Sequence, residues 1–163
     1  ILGEYKLKDG SINFYGKDKR KYSTNDYQFI SYVSQESFFY NDTILINLTF
    51  EEDKNKIDYE YLEKCIKISC CDKIIENTKD GLLSIMEERG NNFSGGQKAR
   101  LSLTRALYLN PKLLLIDEIF SSLEEEISIK IIDNLNSIKK DTSVVIVNHH
   151  HNLSKYADNI ITL

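Results

Sequence analysis

The stretch KLLLIDE, Lys112 to Glu118, decides the fold. Its apolar run is continuous rather than alternating, as expected of a parallel strand buried on both faces. On its C-terminal side, Ser122 with Glu125 fits a capping box that opens a helix over about 123–138. SVVIVN (143–148) then reads as a second buried strand, and NIITL (159–163) as a third. On its N-terminal side, a helix ending before Pro111 places Ala99, Leu103, Ala106 and Leu107 on one face. Strand and helix alternate throughout this half, so the chain is α/β with a mostly parallel sheet and flanking helices.

The N-terminal half carries weaker signals. Ile1-Leu2-Gly3 reads as the end of a helix stopped by glycine, so the chain is expected to begin inside an element. GSINFYG (10–16) is a short strand bounded by glycines, and FISYVS (29–34) a mostly apolar strand leading to Gln35. TILINL (43–48) starts a short helix capped by Asn41, Asp42 or Thr43. Residues 57–77 read as one helix with Ile57, Tyr61, Ile66 and Ile68 inward, and Gly81 to Asn92 as a charged loop.

The bulk numbers narrow the class. A chain of 163 residues has room for one domain and a good-sized core. At 41% hydrophobic and 28% charged it is ordinary for a soluble globular chain. The net charge of −4 speaks against a nucleic-acid binder, which usually shows a basic face. No apolar run approaches a membrane span and nothing reads as a signal peptide, so a membrane link is expected to run through a partner. Cys65, Cys70 and Cys71 lack the paired spacing of a zinc site, and reduced thiols on a helix are the favoured reading.

Three places carry candidate chemistry. Asp117 and Glu118 emerge at the carboxyl end of a buried strand, where ligands bind in open α/β sheets. One acid there can hold Mg²⁺ through water and a second can polarise an attacking water. For an isolated Asp-Glu pair, capping of the next loop is the stronger alternative. His149 ends the next strand; the run His149-His150-His151 reads as a solvated turn, a phosphate-contacting imidazole or, least well, a metal site, because adjacent residues do not converge on one ion. Gln35 taken alone is an ordinary polar loop residue. Finally, Ser94, Gly95, Gly96 and Gln97 stand at a helix start, where unpaired N–H groups and the positive dipole end make an anion site. The 163 residues nevertheless contain no G-x-x-x-x-G-K-[ST] phosphate loop; Gly90 to Gly95 comes nearest, but Gly96 and Gln97 fill the places of the Lys and Ser/Thr.

The order of these features resembles the nucleotide-binding domain of an ATP-binding cassette (ABC) transporter. NFSGGQKARLSLTRAL is similar to the signature L-S-G-G-Q, LLLIDE to the Walker B strand, SSLE to the D-loop, YVSQ to the Q-loop and IVNHH to the H-loop. The resemblance runs from Ile1 to Leu163. QESFFYNDTILINL and GLLSIMEERGNNFSGGQ are similar to exporter-type patterns, with Glu88 and Arg89 in register, and in the family the second of these faces the membrane-embedded partner. Phe93 replaces the signature Leu, Glu87 a Gly, Glu124 the D-loop Asp, and Ile119-Phe120 stand where small residues are usual.

The resemblance implies a P-loop NTPase-like fold, with a core sheet portion over 1–35 and 110–163 and a helical subdomain carrying the signature over about 36–109. The strand and phosphate loop that should precede Ile1 are missing, and the chain also stops short after Leu163, so the 163 residues alone are expected to be inactive. Within an intact exporter the resemblance implies ATP and Mg²⁺ as cofactors. Asp117 and Gln35 would attend the metal, Glu118 would be the base, and His149 would contact the γ-phosphate. Ser94, Gly95, Gly96 and Gln97 would bind the nucleotide of a second domain across a head-to-tail dimer. Ser121, Ser122, Leu123 and Glu124 would form the D-loop at that interface. Partners would be that second ATPase domain and a transmembrane domain, with no nucleic acid, at the cytoplasmic face of the plasma (inner) membrane. Soluble ABC-type ATPases acting on DNA or the ribosome fit less well: DNA-repair members insert a long coiled coil, whereas Gln35 and Ser94 are only 59 positions apart without sustained heptads. A non-catalytic interaction fragment is the other alternative.

Overall fold

The structure is a computed structural model that describes residues 13–14, 17–18, 29–149 and 151–162, with side chains over 29–149 and 153–162. Expectations for Ile1–Gly3, for most of Gly10–Gly16 and for His150 lie outside these residues. β1 (Asn13–Phe14) pairs antiparallel with β2 (Lys17–Asp18). β3 is Ile30–Val33; β4 (Asp42–Thr43) leads into α1 (Ile44–Thr49), whose N-cap is Thr43. α2 (Tyr59–Ile68) and α3 (Asp72–Glu76) precede β5 (Ile85–Met86), which pairs antiparallel with β4. Then come α4 (Gly95–Tyr108), β6 (Leu113–Asp117), α5 (Glu125–Leu135) and β7 (Ser143–Val147).

β3, β6 and β7 form a parallel sheet in that order, with β6 in the centre. The register aligns Val33, Ile116 and Ile146, so the loops after the three strands leave the sheet at one end. Side chains alternate between faces along a strand. Val33, Leu114 and Ile116 turn toward α4 and α5 and share a core with Leu103, Leu107, Ile131 and Leu135. A second core gathers Phe39, Ile44, Leu48, Leu62, Ile74 and Met86 around α1, α2 and α3. α4 serves both, with Ala99, Leu103 and Leu107 in the first core and Leu101 in the second. A helix that is apolar on two sides must be buried between layers, and α4 is.

Five expectations need correction. The helix over 57–77 is two helices, because Cys70 sits at φ 55, outside helical space. The carbonyls freed there are taken by distant donors: Arg100 Nη1 on Cys70 O (2.9 Å), and Asn134 Nδ2 on Lys67 O and Ile68 O (3.1 and 3.2 Å). The loop from Gly81 to Asn92 contains β5 and short 3-10 turns, held in place by the pairing with β4. The capping box expected at Ser122 and Glu125 is not formed: α5 begins at Glu125 with Glu124 as an N-cap that makes no side-chain bond, and Ser122 Oγ instead donates to Ile119 O (2.8 Å). Lastly, β7 is not a buried strand. Val145, Ile146 and Val147 are 41%, 36% and 49% exposed, and β7 is an edge of the sheet that the described residues form. Residues 159–162 form no strand, and Ile160 and Ile161 are exposed.

Candidate functional site

The carboxyl end of β6 builds the first half of the site. Asp117 is the last residue of the strand, and its Oδ2 accepts a 2.6 Å hydrogen bond from the Tyr32 hydroxyl. Glu118 takes left-handed backbone angles, φ 52 and ψ 16, a conformation that costs a non-glycine residue about 1–2 kcal/mol. It is fixed there by its own N–H on Val147 O (3.0 Å) and by Ser121 Oγ on its carbonyl (2.6 Å). The turn aims the side chain across to the end of β7, where His149 Nε2 lies 2.6 Å from Glu118 Oε1. The contact is an ion pair when the imidazole is protonated. Gln35 stands exposed in the loop after β3, at the same end of the sheet. Two strand ends thus place a carboxylate and an imidazole in direct contact, beside a second carboxylate.

Among the described residues no group of three or more His, Cys, Asp or Glu could cage a metal, and His151 opens a separate 3-10 turn, His151–Tyr156. Asp117 supplies one hard oxygen donor with room around it. That donor set fits a Mg²⁺ ion that keeps several waters and is held chiefly by phosphate oxygens.

The second half is the start of α4. Ser94 is its N-cap in a complete capping box: Gln97 N–H donates to Ser94 Oγ (3.3 Å), and Ser94 N–H donates to Gln97 Oε1 (2.9 Å). The S-x-x-Q spacing of residues 94–97 carried that signal in the sequence. Gly95 faces open space, whereas a Cβ on Gly96 would lie 2.8 Å from Ser122 O and 3.3 Å from Leu123 Cδ2. The first turn of α4 therefore rests directly on the backbone of the 3-10 turn Ile119–Ser122. Ile119 and Phe120, bulky where small residues are usual, are buried in the first core, and Phe93 packs in the second. Glu87 has ordinary extended angles, so no glycine is needed there. Glu124 is exposed. The structure brings together Asp117, Glu118 and His149 as one group, and Ser94–Gln97 with Ser122 and Leu123 as another.

Two features escaped sequence reasoning. Tyr32 joins the first group through a partner 85 residues away. Arg105 lies 4.8 Å from the Phe39 ring and 5.4 Å from the Phe50 ring, and its Nη1 donates to Phe38 O (2.9 Å). It braces an exposed aromatic patch of Phe38, Tyr40 and Phe50, each more than half exposed. The side chain of Asn47, fully buried, holds the same segment by bonding both the N–H and the carbonyl of Tyr40 (2.8 and 3.0 Å). The three thiols are free and buried. Burial pushes Cys65 up to about 12 and Cys71 up to about 11, and raises Cys70 as well.

The sequence matches the profile of a family described as ABC transporter over residues 1–121. It is 35% identical over 134 residues to the lactococcin-G-processing and transport ATP-binding protein of Lactococcus lactis, covering 82% of this chain and 19% of that protein. It is 31% identical over 160 residues to the ATP-dependent lipid A-core flippase of Vibrio cholerae, covering 98% and 27%. The structure of a bacterial Atm1-family ABC exporter with ATP bound superposes with a TM-score of 0.82 at 26% identity, covering 94% of this chain and 27% of that one. The chain therefore spans about a fifth to a quarter of the length of the proteins it matches. Motif order, sheet topology and a profile match over most of its length agree: this chain belongs to the ABC transporter family, as part of an exporter-type nucleotide-binding domain.

Proposed function

We propose that the chain serves an ABC exporter in which MgATP hydrolysis drives transport across a membrane, and that it supplies the catalytic half of one nucleotide site and the signature half of another. The observation that carries the reading is the 2.6 Å contact between Glu118 and His149 at the carboxyl end of β6. Phosphoryl transfer is mostly positioning and charge stabilisation, and each role has a candidate. Glu118 orients and deprotonates the attacking water; His149, already beside it, reaches the γ-phosphate. Asp117 would hold Mg²⁺, and Gln35 would attend the same ion and the attacking water. When bound, the metal neutralises charge on the phosphate oxygens.

Ser94, Gly95, Gly96 and Gln97 receive the γ-phosphate held by a second ATPase domain in a head-to-tail dimer, with Ser121, Ser122, Leu123 and Glu124 lining the seam. The close approach of Gly96 to Ser122 O supports setting the two segments side by side at that seam. The chain reads as a sheet portion over 1–35 and 110–163 and a helical subdomain over about 36–109; the second core lies wholly within 36–109, while the first also draws on Cys65, Ile68, Leu103 and Leu107. The exposed patch of Phe38, Tyr40 and Phe50 suits docking to a transmembrane domain, and in this reading the chain works at the cytoplasmic face of the membrane.

The test is Glu118→Gln in the intact transporter, which keeps shape but removes the base. ATP hydrolysis should fall by roughly 10²–10⁴-fold while ATP binding survives. Undiminished turnover would assign the base elsewhere, with His149 the next candidate.

A further inference from the structure

Tyr32 is not accounted for by the roles above. It is 46% exposed and stands on the sheet face opposite Val33 and Ile116, the face that also carries Leu115 and, one strand further, Val145. The β3–β6 register sets Tyr32 opposite Leu115, so Asp117 is its diagonal neighbour two residues on, with its side chain on the same face. The tyrosine spans that diagonal and its hydroxyl donates to Asp117 Oδ2 at 2.6 Å. A hydroxyl bonded to a carboxylate at this length is a charge-assisted hydrogen bond, about twice as strong as a neutral one.

We infer that Tyr32 is a positioning residue for the metal-binding carboxylate: its hydroxyl ties Asp117 Oδ2 and leaves Oδ1 turned to the water shell of Mg²⁺. The inference rests on the reading of Asp117 as the metal carboxylate. A lone carboxylate at a strand end is half exposed and rotates about two torsions; without a tether it samples orientations that do not face the metal. Tyrosine is a suitable tether because only two torsions place its hydroxyl and the strand beneath it is pinned by the ladder to β6. Outer-sphere partners of this kind orient a ligand without touching the ion. If the tyrosine merely covered apolar sheet surface, phenylalanine would serve equally.

The test uses the full-length protein that contains this chain, with Mn²⁺ as the probe and a non-hydrolysable ATP analogue present. Metal affinity is read by electron paramagnetic resonance in the parent, Tyr32→Phe, Asp117→Asn and the double variant. Tyr32→Phe should weaken Mn²⁺ binding by about three- to tenfold, the size of one hydrogen bond's net effect. It should raise the Mg²⁺ concentration for half-maximal hydrolysis by a similar factor, with less than a twofold fall in the maximal rate. In the Asp117→Asn background the tyrosine hydroxyl should no longer matter. If Asp117→Asn weakens Mn²⁺ binding and Tyr32→Phe does not, the inference is wrong and the metal role of Asp117 stands. If Asp117→Asn leaves Mn²⁺ affinity unchanged, the metal role itself is wrong and the inference falls with it.

Discussion

Gly95 and Gly96 are neighbours of one type under opposite constraints. Gly95 opens onto empty space, while a Cβ at Gly96 meets the Ser122 carbonyl at 2.8 Å, with backbone on both sides of the contact. Gly96→Ala forces α4 and the following turn apart and should cost about 1–3 kcal/mol. Gly95→Ala meets nothing and should be neutral or stabilising by up to about 1 kcal/mol, since alanine is the better helix former. Urea denaturation of the two variants checks this; equal losses would mean that packing on Ser122 is not what excludes a side chain at 96. At this scale much was legible. Asp117 and Glu118 were visible at the end of an apolar strand and the SGGQ run at a helix start, but only the order of the motifs raised the acid pair above a loop cap. Tyr32 was not, because the face it occupies depends on the register between β3 and β6, which no local pattern encodes. Nor was the left-handed turn at Glu118, where sequence habit would place glycine or asparagine.

α4 and β6 were readable as elements because their burial follows a regular period. The break between α2 and α3 was not, since no glycine or proline marks it; the left-handed residue is Cys70, and Arg100 and Asn134 come from other helices to satisfy the carbonyls. The exposure of β7 escaped for a related reason: SVVIVN is apolar on both sides, but the strand lies at the edge of the described sheet. The thiols around the break make a pH prediction. Burial raises Cys65 to about 12 and Cys71 to about 11 from an ordinary value near 9, and Tyr61 to about 12 from 10. The fold thus holds protons that the unfolded chain releases first, so their contribution to stability is intact below pH 9 and is lost as pH rises toward 11 and 12. The urea midpoint should fall across pH 9–11, and Cys71→Ser, which does not ionise there, should flatten the decline. A midpoint independent of pH in that window would contradict buried, protonated thiols.

The described residues build a three-stranded parallel sheet packed on α4 and α5, joined through α4 to a helical layer with its own core. Its class was legible from alternation alone; the splitting into two cores was not, because α4 shows that it serves both only once its neighbours are placed. The 163 residues carry no phosphate loop, so the main source of phosphate contacts is not among them. Calorimetry on the 163-residue chain should therefore detect no micromolar affinity for MgATP, and a micromolar value would refute that assignment of the binding energy. What the chain does carry is the capping box at Ser94, and it has a directional consequence. Both of its internal bonds consume an acceptor: Ser94 Oγ takes the Gln97 N–H, and Gln97 Oε1 takes the Ser94 N–H. Left facing outward are the serine O–H, the Gly95 and Gly96 N–H groups and the glutamine NH₂. With one lone pair left on each oxygen, the rim is thereby biased toward hydrogen-bond donors. A visitor rich in lone pairs and poor in protons, such as a fully ionised terminal phosphoryl group, satisfies every one of them, and each proton it gains sets one donor against another.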